Sequence, residues 1–191
     1  MTVSLNIEPI IDSNLTLEEV LRNRQTLPAP QEVLDKQRII DVSYYSFDGL
    51  LHQGQIVVDV DLVTDVKEAF DLIKNTKFPV KSVMPFVDRR LMSEIEKTTS
   101  MNNSSAFNYR LIAGTNKLSN HAFGRAFDIN PQLNPLIKGN EIQSSTSKYD
   151  TKVPGTIGGN EEFVAYLKKH GWEWGGDWTD FKDYMHFEKS R

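Results

Sequence analysis

Residues 119–130 read Ser-Asn-His-Ala-Phe-Gly-Arg-Ala-Phe-Asp-Ile-Asn. A histidine, His121, and an aspartate, Asp128, stand on either side of Gly124, between a polar loop and an apolar run that alternates like a strand. On a strand, residues two apart share a face, so Ala126 and Asp128 point one way while Phe127 and Ile129 point into the core. Gly124 permits the turn that brings His121 back over the Asp128 carboxylate. Two candidate metal ligands then share one surface and need a third from elsewhere.

Upstream of this stretch, residues 107–113 alternate as a strand and lead into it, and residues 98–105 are polar enough to be a loop. Leu91 and Ile95 mark a helix around residues 88–97, and residues 78–86 read as extended. Between residues 65 and 74, Val66, Ala69, Phe70 and Ile73 recur at i, i+3, i+4 and i+7, one face of a helix. Residues 38–47 and 54–60 are rich in β-branched and aromatic side chains and flank the turn-prone Asp48-Gly49, which predicts two strands of one sheet. Thr16-Leu-Glu-Glu19 is a capping box opening a short helix that Pro28 and Pro30 end. Residues 1–37 are therefore expected to form a helical arm on a domain of residues 38–191.

Downstream, residues 131–159 carry many Gly, Pro, Asn, Ser and Thr and no convincing period, so they read as a long loop, a lid or an insertion. Asn160-Glu-Glu is expected to cap a helix that buries Phe163, Val164 and Leu167 and has Lys168, Lys169 and His170 in its last turn, with Gly171 just beyond. An aromatic, glycine-broken segment (172–178) and a strand over 184–188 complete the chain. Strands and helices mix without a β-α-β rhythm. The fold class expected is α+β, a single domain with a central, mainly antiparallel sheet flanked by helices.

A chain of 191 residues, 39% hydrophobic and 25% charged, is that of an ordinary globular protein with one well-buried core. Its 22 basic and 26 acidic residues are interspersed and give a net charge of -4. That is no footprint for nucleic acid or an anionic membrane surface. No apolar run is long enough to span a bilayer, and the first residues lack the basic-then-apolar order of a secretory leader. With no cysteine in the chain, a metal must be held by imidazole and carboxylate.

Three imidazoles remain for the third ligand: His52, His170 and His186. His186 alternates with Met185 and Phe187 in an apolar strand, where an unpaired polar ring is costly, and is the best placed. His170 sits where a cation suits the helix dipole, and His52 lies beside the hairpin turn, so both have simpler structural readings. A His, Asp, His set leaves a fourth position open, the mark of catalytic rather than structural zinc. Asp183, three residues before His186, is in reach as a general base if the chain turns between them; Glu188 and Asp180 compete with it.

Ser119-x-His121-x-x-Gly124-x-Ala126-x-Asp128, followed by Asp183-x-x-His186-Phe-Glu, resembles the zinc D,D-carboxypeptidase and L-alanyl-D-glutamate endopeptidase family. Its members cleave peptidoglycan stem peptides and include vancomycin-resistance peptidases and phage endolysins. Phe107-Asn-Tyr-Arg110, Ile112-Ala-Gly-Thr115, Asp128-Ile-Asn-Pro131 and Gly171-Trp-x-Trp-Gly-Gly176 extend the likeness to the endolysin-type branch, over residues 40–188. The resemblance implies a hedgehog/DD-peptidase-like fold, Zn²⁺ on His121, Asp128 and His186, and Asp183 as catalytic base. It also implies that Arg110 stabilises the developing oxyanion and that Ser119 lines the substrate pocket. Trp174 is the tryptophan expected to wall that pocket.

The partners expected are peptidoglycan stem peptides as substrates, with no nucleic acid and no membrane span, and the chain is expected to be a monomer. The cell envelope or an extracellular location is expected if a leader has been removed, and otherwise the cytoplasm before release. Two other readings fit the same ligands: a non-haem Fe(II) oxygenase, whose facial triad is also two histidines and a carboxylate, and a zinc-containing module that binds wall peptide without cutting it.

Overall fold

The computed structural model describes residues 8–23, 27–86, 102–142 and 147–190. The helix expected around residues 88–97 lies outside the described residues. The Thr16 capping box forms as read: the Thr16 backbone N–H donates to Glu19 Oε2 at 2.7 Å and the Glu19 N–H to Thr16 Oγ1 at 3.2 Å. It opens α1 (Leu17–Asn23), and Pro30 opens the single turn of α2 (Gln31–Leu34).

The hairpin is β2 (Gln37–Tyr45) and β3 (Leu51–Asp59), paired antiparallel from Gln37↔Asp59 to Tyr45↔Leu51, with β1 (Ile10–Ile11) added parallel on the far edge of β3. In β3 the run Gln55–Asp59 is buried without alternation, because both faces are covered. Ile56 and Val58 enter the main core, while Val57 meets Val20, Val33 and Phe107 in a second cluster under the N-terminal helices. Helix α3 (Val63–Asn75) buries the expected Val66, Ala69, Phe70 and Ile73 against β2. It also packs on α4 (Glu162–Lys169), which buries Phe163, Val164 and Leu167.

The remaining strands are short: β4 (Ser82–Val83) and β5 (Asn103–Ser104), β6 (Ala126–Asp128), β7 (Leu136–Lys138), β8 (Glu141–Ile142), β9 (Glu173–Trp174), β10 (Lys182–Asp183) and β11 (His186–Glu188). The mixed α and β composition is as expected. The single central sheet is not: among the described residues the strands form three three-stranded sheets, β1-β3-β2, β10-β7-β8 and β6-β11-β9, and the parallel pair β4-β5. Strands of two or three residues broken by turns cannot extend one continuous ladder.

Residues 107–113 do not form the strand their alternation predicts. Only Leu111 makes a bridge, to Leu118, and Asn108 N–H donates to the His121 carbonyl at 3.0 Å. Their neighbour is the 3-10 turn Asn120–Phe123, which offers no ladder to join. Residues 131–142 and 147–159 are more ordered than their composition suggests. β7 and β8 lie in this stretch, and two buried asparagines pin it. Asn130 Nδ2 donates to Pro79 O (2.9 Å) and Gly155 O (3.0 Å), and Asn134 Oδ1 accepts from Ile157 N–H at 2.7 Å.

Candidate metal centre

The Ser119–Asn130 stretch folds as a turn feeding a strand. Ser119 is buried and its Oγ accepts the His121 N–H at 3.3 Å, capping the 3-10 turn Asn120–Phe123. Gly124 ends that turn at φ +67°, and a Cβ there would lie 2.2 Å from Gln37 Oε1 and 2.7 Å from the Asp59 nitrogen. Conformation and space both require glycine. β6 follows, with Phe127 stacked on Phe187 in the core and Asp128 on the opposite face.

The C-terminal strand completes the cluster. β11 runs antiparallel to β6 with His186 directly opposite Asp128, so the two side chains share a face. His121, Asp128 and His186 each offer one donor atom, and the three atoms lie within 4.8 Å of one another. His121 Nε2 is 3.3 Å from Asp128 Oδ2 and 3.2 Å from His186 Nδ1, which is 3.1 Å from Asp128 Oδ1. Both imidazoles are buried.

The hydrogen bonds on the far side of each ring decide what these atoms can do. His121 Nδ1 donates to the Ala106 carbonyl at 2.7 Å, so its lone pair is on Nε2. His186 Nε2 donates to Glu188 Oε2 at 2.9 Å, leaving Nδ1 to face the site. Glu188 sits two residues along the same strand and therefore on the same face. Its own carboxyl is held below the ordinary range, first by the His186 hydrogen bond and then, against burial, by one from Asn120. Two ring nitrogens and a carboxylate thus converge with their protons committed elsewhere. Such a set repels itself unless a positive charge lies among it.

Without an ion, a proton takes that place. Burial disfavours a charged His186, yet the hydrogen bonds it donates to Asp128 and Glu188 raise it to about 10. Burial likewise opposes the Asp128 carboxylate, but His121 and His186 hold it far below its usual range. The donor set fits a divalent transition metal such as Zn²⁺, with each histidine anchored through its other nitrogen as in known metal sites.

Asp183 lies on β10, which pairs with β7 (Asp183↔Leu136), and the turn at Tyr184-Met185 carries the chain from it to His186. Its Oδ1 is enclosed and has no hydrogen-bond partner among the described residues. Burial, then the charge of Asp128, pushes it up to about 7 against the pull of His186 and Arg110. A Cβ on Gly175 would stand 2.4 Å from the Asp183 carbonyl oxygen, so glycine lets this loop press on the Asp183 backbone. Arg110 is half-buried and donates to Leu111 O at 3.3 Å. Asp180 is exposed.

Trp174 is buried in the core, its ring stacked with Phe187 and its indole N–H donating to Tyr184 O at 2.9 Å. Trp178 lies beside His186, with 5.4 Å between ring centroids. His170 is away from the cluster and donates through Nδ1 to Tyr166 O. His52 is held between Asp12 and Asp48. Sequence reasoning missed Glu188 as the partner of His186, although i, i+2 spacing on a strand already puts the two side by side.

No solved structure matches the chain. Residues 113–189, which contain His121, Asp128, Asp183 and His186, match the family model described as D-alanyl-D-alanine carboxypeptidase. That segment, which carries the whole candidate metal centre, is similar to the D-alanyl-D-alanine carboxypeptidase family.

Proposed function

We propose that the protein is a zinc metallopeptidase that hydrolyses peptide bonds in peptidoglycan stem peptides, as a D,D-carboxypeptidase or an L-Ala-D-Glu endopeptidase. The observation that carries this reading is the convergence of His121 Nε2, Asp128 and His186 Nδ1, with the other nitrogen of each imidazole engaged outside the cluster. The family match supports the peptide substrate.

His121, Asp128 and His186 would hold the ion. When bound, Zn²⁺ supplies Lewis acidity that polarises a peptide carbonyl and makes water acidic enough to lose a proton near neutral pH. Asp183 then acts as general base: its carboxylate takes the proton of the attacking water and returns it to the leaving amine as the C–N bond breaks. A carboxyl with one oxygen free of partners and a raised proton affinity suits both steps. Arg110 offers a guanidinium to the carbonyl oxygen as it becomes negative. Glu188 and the Ala106 carbonyl orient the two imidazoles, and Ser119 fixes the turn that presents His121.

The reading is tested by mass spectrometry of the products from defined stem peptides, with 2-oxoglutarate turnover measured in parallel. Release of a terminal D-Ala, or scission between L-Ala and D-Glu, is expected. Intact peptides in the presence of metal-loaded protein would overturn the peptidase reading, and 2-oxoglutarate turnover would replace it with the oxygenase.

A further inference from the structure

We propose that the N-terminal arm (β1, α1 and α2) is a working part of the metal centre, with Val20 and Phe107 as positioning residues that hold the backbone of residues 105–110 against His121 and Asp128. This rests on the metal site of the reading above. It adds to that site a support from the opposite end of the chain.

Residues 106–110 belong to no helix or strand, yet the candidate site hangs on this strap and on Ser105 before it. Ser105 and Asp128 exchange backbone hydrogen bonds, at 2.8 and 3.2 Å. The Ala106 carbonyl accepts from His121 Nδ1 at 2.7 Å, and Asn108 N–H donates to the His121 carbonyl at 3.0 Å. The Arg110 carbonyl accepts the Ser119 N–H at 3.1 Å. The strap therefore meets Asp128, His121 and Ser119 in turn. Moving Ala106 moves the acceptor that fixes the orientation and tautomer of the His121 ring.

Side chains along the strap turn to opposite sides. Ala106 enters the main core, whereas Phe107 and Tyr109 enter the second cluster, beneath the arm. There Phe107, 1% exposed, shares its surroundings with Val20 of α1, Val33 of α2 and Val57 of β3. Two backbone bonds follow the same division: Phe107 N–H donates to Val57 O, and Leu27 N–H to Tyr109 O, each at 3.1 Å. The arm is itself anchored on β3, where Ser13 Oγ and Leu15 N–H donate to the buried Gln55 Oε1 at 2.8 and 2.6 Å. The strap is thus gripped between β3 and the arm. Deleting methyl groups from a fully buried residue leaves a cavity into which its neighbours relax in part, and at Val20 the neighbour is Phe107. The displacement passes to Ala106 and from there to His121.

The test compares the full chain with Val20→Ala, Leu21→Ala and Val66→Ala. Val20 and Val66 are both 0% exposed, but Val66 lies on α3 in the main core, so the same groups are lost away from the strap. Leu21 is half-buried against the second cluster and supplies a milder variant. Zn²⁺ affinity is measured by competition with a chromogenic chelator, ligand geometry by the visible spectrum of the Co²⁺-substituted protein, and melting temperature alongside. Val20→Ala should weaken Zn²⁺ binding about tenfold, the scale on which partners of metal-bound histidines act, and shift the Co²⁺ bands. Leu21→Ala should do the same to a smaller extent. Val66→Ala should melt lower, like Val20→Ala, and keep the wild-type affinity and spectrum. Wild-type affinity and spectrum in folded Val20→Ala or Leu21→Ala would overturn the proposal. Equal weakening in Val66→Ala would also overturn it, by making the loss a general cost of lower stability. Failure of the wild type to take up one equivalent of Zn²⁺ would overturn the metal centre and this support with it. Affinity and spectrum are read without substrate, so absence of stem-peptide cleavage would overturn the peptidase reading alone and leave the support standing.

Discussion

Two regions of this molecule bury histidine among carboxylates, and only one of them has valence left over. At the hairpin, His52 Nδ1 is 3.0 Å from Asp12 and Nε2 is 3.1 Å from Asp48, while Tyr44 donates its hydroxyl proton to Asp12 and accepts the Val83 N–H. Every polar atom faces a partner, and the network ties β1 and β4 to the hairpin. At the other end, His121, Asp128 and His186 turn their acceptors on one another and spend their protons on Ala106 and Glu188. Residue type is nearly the same in the two places. What marks a site is the set of lone pairs with nothing to receive them.

The sharpest way to break this contrast is to remove a histidine from each region. His121→Ala or His186→Ala should abolish stoichiometric metal binding and lower peptidase activity by at least ~10³-fold, because three ligands are the minimum for such a site. His52→Ala should leave metal content unchanged and lower only thermal stability. Metal analysis of the purified variants decides: unchanged occupancy in His121→Ala would remove the ligand assignment.

Asp183→Asn should keep the metal and lose roughly 10²–10⁴-fold in kcat, the usual worth of a general base. In wild type, kcat/KM should fall as pH drops and Asp183 becomes protonated. This acid limb should lie below the value of about 7 that holds without an ion, since a cation favours the carboxylate. Stability of the metal-free protein should respond oppositely. A carboxyl raised in the folded state contributes stability below its unfolded pKa, and this contribution is lost as pH rises through about 7. Asp183→Asn should therefore melt a few degrees above wild type at pH 8 when stripped of metal.

Glu188→Gln tests the support around the ligands. It should weaken metal affinity by about 10–100-fold without changing stoichiometry, because His186 loses the carboxylate that orients it. A smaller effect sharpens the electrostatics. His186 is held protonated to about 10 without an ion, so metal binding at pH 7.5 should release about one proton. Calorimetry in buffers of different ionisation enthalpy measures that release. No buffer dependence would mean that the site is neutral before the ion arrives.

The parts of this architecture governed by neighbours in sequence were legible from it. Strand alternation placed Asp128 opposite Phe127 and His186 opposite Phe187, and helical spacing picked out the buried face of α3. The parts governed by distant partners were not. Asp183 is positioned by pairing with Leu136, in a stretch with no period of its own, so nothing local announces β7. The α4 boundary shifted for a local reason instead: the Glu161 carboxylate accepts from the Gly158 and Gly159 amides, and the helix begins at Glu162 rather than behind an Asn160 cap. Among the tryptophans, Trp172 and Trp174 are buried with their indole N–H bonded, whereas Trp178 stays half-buried beside His186.

The central claim is that a cation held by His121, Asp128 and His186 is what makes this chain a peptidase. It is tested most directly by stripping the protein of metal, titrating Zn²⁺ back, and following stem-peptide cleavage by mass spectrometry at each step. Cleavage should be absent in the stripped protein, rise linearly and saturate at one equivalent, while His121→Ala stays inactive throughout. Cleavage at the full rate by stripped protein, or by His121→Ala, would contradict it.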